Sequence, residues 1–253
     1  MVFSLAVAPL FGLIIGSFLN VVAWRLPRGE SLSKPGSHCP GCDAPVRPYD
    51  NVPVLSWLLL RGRCRSCKGV ISSRYPVVEA ATAVLYVAVV AGLWDDPLKI
   101  ALGIALVTVL VPITLIDLEH RLIPNTLTAP AAVVALVIGL ALEPGFVPEQ
   151  LIAGAAAGGF FFAAAALYPR GMGMGDVKLA LVLGLYLGRA VAPAIFIGLI
   201  AGVLVGVVVI ARKGAAEGRK TAVPFGPFLA LGAIVALFVG DGLMDRYLEQ
   251  FQS

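Results

Sequence analysis

Charge is scarce in this chain: Asp, Glu, Lys and Arg make up 13% of its 253 residues, against 59% hydrophobic residues and a mean hydropathy of +0.92. That balance excludes an ordinary soluble domain, in which about a quarter of the residues are charged. Histidine is scarcer still, with only His38 and His120. No H-E-x-x-H helix is available to hold a catalytic zinc, and two histidines leave no Ser-His-Asp arrangement to build. The Gly-rich stretch near residue 173 has no βαβ unit around it and does not match a P-loop, so it binds neither a dinucleotide nor a nucleotide phosphate in those ways. The apolar start lacks a basic n-region and an A-x-A-like cleavage site before a soluble domain, so it reads as a retained first span rather than a signal peptide.

What the chain has instead is long apolar runs. A hydrocarbon core of roughly 30 Å takes about 20 apolar residues as helix. Such runs lie near 4–24, 76–94, 98–116, 126–143, 150–168, 177–188, 190–210 and 223–242. They are continuously apolar rather than alternating, which selects helices over a barrel. The expected fold is an all-α polytopic membrane protein of about eight transmembrane helices, or seven if the short, Gly-bounded sixth run does not cross. Residues 1–24 form the first span, 25–75 a cytoplasmic insert and 76–253 the membrane core.

Nine of the 19 basic residues fall in 25–75: Arg25, Arg28, Lys34, Arg47, Arg61, Arg63, Arg65, Lys68 and Arg74. Threading eight spans from a cytoplasmic insert puts Arg121, Arg170, Lys178, Arg212, Lys213, Arg219 and Lys220 on the same side, leaving Lys99, Arg189 and Arg246 outside. The positive-inside rule thus places the insert in the cytoplasm and both termini outside. The basic excess follows topology and anionic lipid headgroups, so membrane lipid is an expected partner and nucleic acid is not.

All four cysteines lie in the insert, as Cys39-Pro-Gly-Cys42 and Cys64-Arg-Ser-Cys67, with 21 residues between the knuckles. Two C-x-x-C knuckles supply the four thiolates of a structural zinc site, and a reducing cytoplasm argues against disulfides. With every position filled by sulfur, such a zinc staples a small insert and has no catalytic role. His38 is then a solvated loop residue.

Two aspartates interrupt the apolar pattern on the same predicted side. Asp117 follows Ile116 at a helix end, in Asp117-Leu-Glu-His-Arg-Leu-Ile-Pro-Asn125. Asp176 opens another apolar run, in Gly171-Met-Gly-Met-Gly-Asp176-Val-Lys178. A carboxylate at the end of a span is costly unless it meets water, a partner or a substrate, so two of them suggest one shared site. Such a pair can divide acid and base roles, which points to hydrolysis of a peptide bond. The alternate glycines suit backbone that stays irregular where another chain approaches. Glu119 and Arg121 mark the loop boundary, and Lys178 is expected to face headgroups. The alternative from another class is a transporter or channel relaying protons or cations through the same carboxylates. Against it, both aspartates sit at one face, and no inverted repeat is visible.

Taken together, these residues resemble the type IV prepilin peptidases, bifunctional aspartyl proteases of the GxGD type. The likeness runs through Gly16-Ser-Phe-Leu-Asn-Val21, the two knuckles, Arg74-Tyr-Pro-Val-Val-Glu79, Asp117 with Ile123-Pro-Asn125, Gly173-Met-Gly-Asp176-Val-Lys178 and Pro224-Phe-Gly-Pro-Phe228. It implies a bacterial inner-membrane enzyme of type IV pilus or type II secretion systems, with its aspartates facing the cytoplasm. Its substrates would be prepilins or pseudopilins, cut between a basic leader and the hydrophobic segment, with Asp117 and Asp176 as the catalytic pair. It also implies methylation of the new N-terminus with S-adenosyl-L-methionine. Asn20, Arg25 and Glu79, near cytoplasmic helix ends, are candidates to line that pocket, although a buried amide, a snorkelling cation and an interfacial charge account for them more simply. Ala83 stands where the family often carries glycine, which leaves a peptidase without methyltransferase activity as an alternative.

Overall fold

The computed structural model describes residues 2–168, 172–214 and 223–250. Arg170, Gly171, Arg219 and Lys220, used above, lie outside the described residues. The described chain is helical, with two isolated β-bridges and no strand, and it divides into two compact units, Met1–Trp94 and Asp95–Ser253.

The first unit pairs helix α1 (Val2–Arg25) with α3 (Arg74–Gly92), and the segment joining them carries a single turn-and-a-half of helix, α2 (Leu55–Leu59). Small residues make the pairing close. A Cβ on Gly12 would stand 2.5 Å from the Ala83 Cα, and one on Gly16 2.8 Å from the Glu79 Cα. Glycine there lets two backbones touch, which is how helices associate where lipid removes the hydrophobic drive. Leu19, Val22, Val78, Tyr86 and Val89 fill the remaining seam.

The second unit contains α4 (Pro97–His120), α5 (Asn125–Leu142), α6 (Val147–Leu167), α7 (Met174–Leu187), α8 (Val191–Lys213) and α9 (Gly226–Glu249). Helix α4 starts where Asp96 caps the Lys99 N–H at 2.9 Å with Pro97 in the first helical position, a strong N-terminal signal. The closest pairings are α6 with α7 and α8 with α9. Gln150 of α6 is fully buried, and its Nε2 donates to Ala135 O of α5 at 3.0 Å and to Leu185 O of α7 at 2.7 Å, tying three helices by one side chain. At the end of the bundle where α4 begins, Lys99 pairs with Asp241 at 2.7 Å and Arg189 with Asp245 at 2.8 Å.

Among the described residues, seven stretches are long and apolar enough to cross a membrane, so the chain is a polytopic membrane protein. The expected sixth and seventh runs form one of these, the 40-residue stretch Met174–Lys213. It is not a single rod. Gly188 has φ +55°, and the chain reverses there: Gly198 and Gly202 of α8 lie against Phe228 and Phe225, so α8 returns to the end at which α7 began. The 14-residue α7 is about 21 Å long. Among the described residues the long apolar helices are thus two in the first unit and six in the second, where α7 is too short to fill the hydrocarbon core by itself.

Backbone contact at Gly184 gives a test of this packing. A Cβ there would stand 2.5 Å from the Ala153 carbonyl carbon and oxygen, and backbone cannot rotate aside. Gly184→Val should destabilise the purified protein by about 2 kcal/mol through overpacking, measured by thermal unfolding in detergent. Gly159→Val, with nothing within 4 Å, should unfold as the unsubstituted protein does.

Candidate functional site

Asp117 occupies the last turn of α4 and is buried, 5% exposed. A carboxylate at a helix C-terminus faces the negative end of the dipole and needs a donor from elsewhere. The donor is the backbone N–H of Gly226, the first residue of α9, which reaches Asp117 Oδ2 at 2.9 Å. The positive end of one helix thus offsets the negative end of another. The glycine is required sterically: a Cβ on residue 226 would lie 2.7 Å from Oδ2 and 3.3 Å from Cγ. Aromatic packing holds the donor in place, with the Phe225 ring centroid 6.1 Å from that of buried Phe161 and 6.4 Å from that of Phe228.

Asp176 is the third residue of α7, in the turn whose dipole favours an anion. The two aspartates line one pocket of about 450 Å³, together with the 121–126 segment, Gly173, Gly175 and Lys178. Their separation of 59 positions in sequence is no obstacle, because α4 delivers its last turn and α7 its first turn to the same end. Lys178, expected to face headgroups, is exposed. It lines the pocket, and its Nζ donates to Asn125 Oδ1 at 2.8 Å. Arg121 also lines the pocket rather than only marking the loop; its N–H donates to Asp117 O at 2.9 Å from a left-handed conformation, φ +52°. Glu119 keeps the boundary role, next to His120 at 3.8 Å.

Of the second motif's glycines, Gly173 lies in irregular backbone ahead of α7 as expected, and Gly171 is outside the described residues. Gly175 lies within α7, and neither Gly173 nor Gly175 has positive φ. Gly175 instead permits contact, since a Cβ would meet the Ile123 Cβ at 3.0 Å. That contact presses the start of α7 onto the segment leaving Asp117. Asn125 and Gly226 are the site residues that motif reading left without a role. A glycine flanked by Phe225 and Pro227 at the head of an apolar run was the available signal for the second.

In the first unit, the four cysteine sulfurs all lie within 4.8 Å of one another. Cys39 Sγ and Cys67 Sγ are 3.8 Å apart, which is about the edge of a tetrahedron with metal–sulfur bonds of about 2.3 Å. The two knuckles repeat one design. Asp43 N–H donates to Cys39 O at 2.8 Å and Lys68 N–H to Cys64 O at 3.0 Å, each from a residue with positive φ. The four thiols share their protons: hydrogen bonds from the Cys67 and Ser66 backbone bring Cys64 down to about 7, whereas Cys42, despite a hydrogen bond from the Ala44 backbone, is pushed up to about 11 by Cys67, burial, Cys39 and Cys64. The donor set fits a tetrahedral metal ion.

Arg25, Asn20 and Glu79 are occupied with the same unit's architecture. Arg25 donates to Ser31 O at 2.9 Å and Pro35 O at 2.7 Å, Asn20 Nδ2 to Tyr75 O at 3.2 Å, and Glu79 Oε2 accepts the Val54 N–H at 2.7 Å. Arg25 fastens the insert to α1 and Glu79 fastens it to α3, while Asn20 ties α1 to α3; Asn20 is the buried amide expected, whereas Arg25 and Glu79 are buried on backbone groups rather than snorkelling or interfacial. Only Asn20 Oδ1 is buried without a partner among these groups.

Comparison with known proteins follows this division. The model of the bacterial peptidase A24 N-terminal domain matches residues 10–93, and that of the type IV leader peptidase family residues 104–210. The chain is 37% identical to a prepilin leader peptidase/N-methyltransferase of Aeromonas hydrophila, over 96% of the chain and 93% of that protein. It is 34% identical to one of Stutzerimonas stutzeri, with the same coverage. It is also 34% identical to a type 4 prepilin-like proteins leader peptide-processing enzyme of Escherichia coli, over 90% and 91%. No solved structure matches the chain at a significant level.

The fastening by Glu79 is testable on its own. Glu79→Leu leaves the Val54 N–H unpaired at a cost of about 1–3 kcal/mol. Amide exchange at Val54 to Trp57 should accelerate accordingly, while exchange in α5 to α9 stays unchanged.

Proposed function

Because the chain belongs to the type IV leader peptidase family, we propose that it cleaves the leader from prepilins or pseudopilins with Asp117 and Asp176 as its catalytic pair. The observation that carries this reading is that both carboxylates line one pocket, with Asp117 held by Gly226. One carboxylate takes a proton from water as the water oxygen attacks the scissile carbonyl carbon. The other, protonated, donates to the carbonyl oxygen as it gains charge. Collapse of the tetrahedral adduct breaks the C–N bond: the proton taken from water goes to the leaving amine, and the second carboxylate takes its proton back from the adduct's hydroxyl. The products are a leader ending in a carboxylate and a mature chain with a free N-terminus, without an acyl-enzyme. The two groups titrate as a pair, so roles are assigned to the pair. The transporter alternative gains no support, since the carboxylates share a pocket at helix ends rather than a path through the bundle.

The basic excess supports a bacterial inner-membrane location, with the insert of residues 25–75 and the pocket on the cytoplasmic side. Cys39, Cys42, Cys64 and Cys67 would hold a structural zinc, which when bound cross-links the two knuckles. The relatives' names carry a second activity, N-methylation of the new terminus, for which S-adenosyl-L-methionine is the donor. Asn20, Arg25 and Glu79, the candidates to line its pocket, are each hydrogen-bonded to backbone within the first unit.

Removing either member of the pair should reduce cleavage of a prepilin-like substrate by about 10²–10⁴-fold. Asp117→Asn and Asp176→Asn, assayed by product mass in membranes, should both behave so while melting as the unsubstituted protein does. Cleavage at the normal rate by either would remove that residue from the chemistry. Gly226→Ala pushes into Asp117, and displacing a reacting group by about 1 Å costs about 10² in rate. Its kcat should fall with KM nearly unchanged. Elemental analysis should find one zinc per chain, and Cys64→Ser should lose it.

A further inference from the structure

Helix α2 shows its apolar side outward. Leu55, Leu58 and Leu59 stand at helical spacing on one face and are exposed, Leu59 by 83%, whereas Ser56 on the opposite side is buried. Val52 and Val70, the latter 86% exposed, are further exposed apolar side chains of the same segment. A water-facing insert would place these side chains the other way round. Contiguous exposed apolar surface of this kind marks an interaction site.

Its position selects the partner. The Val54 N–H that precedes α2 is bound to Glu79, five residues into α3, so α2 begins about 7 Å down the side of that helix from Arg74. Two exposed aromatics mark the water boundary of this unit. Trp24, in the last turn of α1, is covered by the Arg28 guanidinium at 3.7 Å, and Tyr75 lies in the first turn of α3. Tryptophan and tyrosine concentrate at the headgroup level. Helix α2 is therefore fastened below that level, beside a membrane-spanning helix. Leaving α2, the chain carries Arg61, Arg63 and Lys68, all exposed and with no ion pair among the described residues, whereas neighbouring Arg65 is held by Asp50 at 2.6 Å.

We propose that the insert is seated in the bilayer surface, with Leu55, Leu58, Leu59 and Val70 among the acyl chains and Arg61, Arg63 and Lys68 on anionic headgroup phosphates. The metal-binding knuckles are then held against the membrane by an embedded foot. A lipid surface accounts for the apolar face and the unpaired cations together, as an interfacial amphipathic helix does. This rests on the membrane-spanning character of α1 and α3, and not on the peptidase reading.

The test uses the full chain in phosphatidylcholine vesicles, with and without phosphatidylglycerol. An environment-sensitive fluorescent amino acid replaces Leu59, or Ile14 of α1, or Asp43, and acyl-brominated lipid serves as quencher. Quenching at 59 should approach that at 14 and far exceed that at 43. It should weaken when phosphatidylglycerol is omitted or when Arg61, Arg63 and Lys68 are all changed to Gln. Fluorescence at 59 quenched no more than at 43, in protein that keeps its metal and its melting temperature, overturns the proposal. So does energy transfer between labelled copies through position 59, which would assign the face to a second chain. Quenching at 59 that ignores headgroup charge overturns the role of the three cations.

Discussion

A single backbone N–H governs the pocket: the one that Gly226 gives to Asp117 across 109 residues of sequence. An aspartate in the last turn of a buried helix opposes the dipole of that helix and the low dielectric around it. The start of α9 answers both with an oriented donor and a positive helix end. For that donor to arrive, residue 226 must lack a side chain, Phe225 must be packed on Phe161, and α8 must run back beside α9 with glycines at its crossing points. The reversal at Gly188 and the pairing of α6 with α7 then bring Asp176 to the same end. The backbone packing of the second unit thus converges on the placement of two carboxylates.

The economy of charge is equally consistent elsewhere. In apolar surroundings a polar side chain needs a partner, and most here are accounted for. Arg25, Asn20 and Glu79 fasten the insert, Gln150 ties three helices, and Lys99, Arg189, Asp241 and Asp245 close the end remote from the aspartates. Among the described residues, the aspartate pocket and the basic edge of the insert are two places where polar groups face open space.

Much of this was legible before any coordinates. Apolar runs located the helices because length and hydropathy are local properties, and the knuckle spacing located a sulfur cluster because two C-x-x-C turns are nearly self-contained. The carboxylate pair was visible because charge in an apolar chain stands out. The remainder depends on contacts between distant segments. Nothing near Gly226 announces Asp117, and Lys178 looked like a boundary cation because its partner, Asn125, belongs to another helix. Alternate glycines suggest backbone freedom, which Gly173 keeps ahead of α7, but Gly175 has ordinary helical geometry and serves close contact with Ile123. The outward leucines of α2 were hidden in a polar segment, since five residues are too few to show a pattern.

The most direct measurement is to trap the pocket in use. A prepilin-like peptide with a non-hydrolysable hydroxyethylene group at the scissile position and a photoreactive group beside it would be cross-linked to the full-length protein, and the adduct mapped by mass spectrometry. A peptidase built on the paired carboxylates should be labelled within residues 121–126 and 173–178, with labelling competed by an authentic prepilin segment. Competed labelling confined to other segments would contradict the assignment of this pocket.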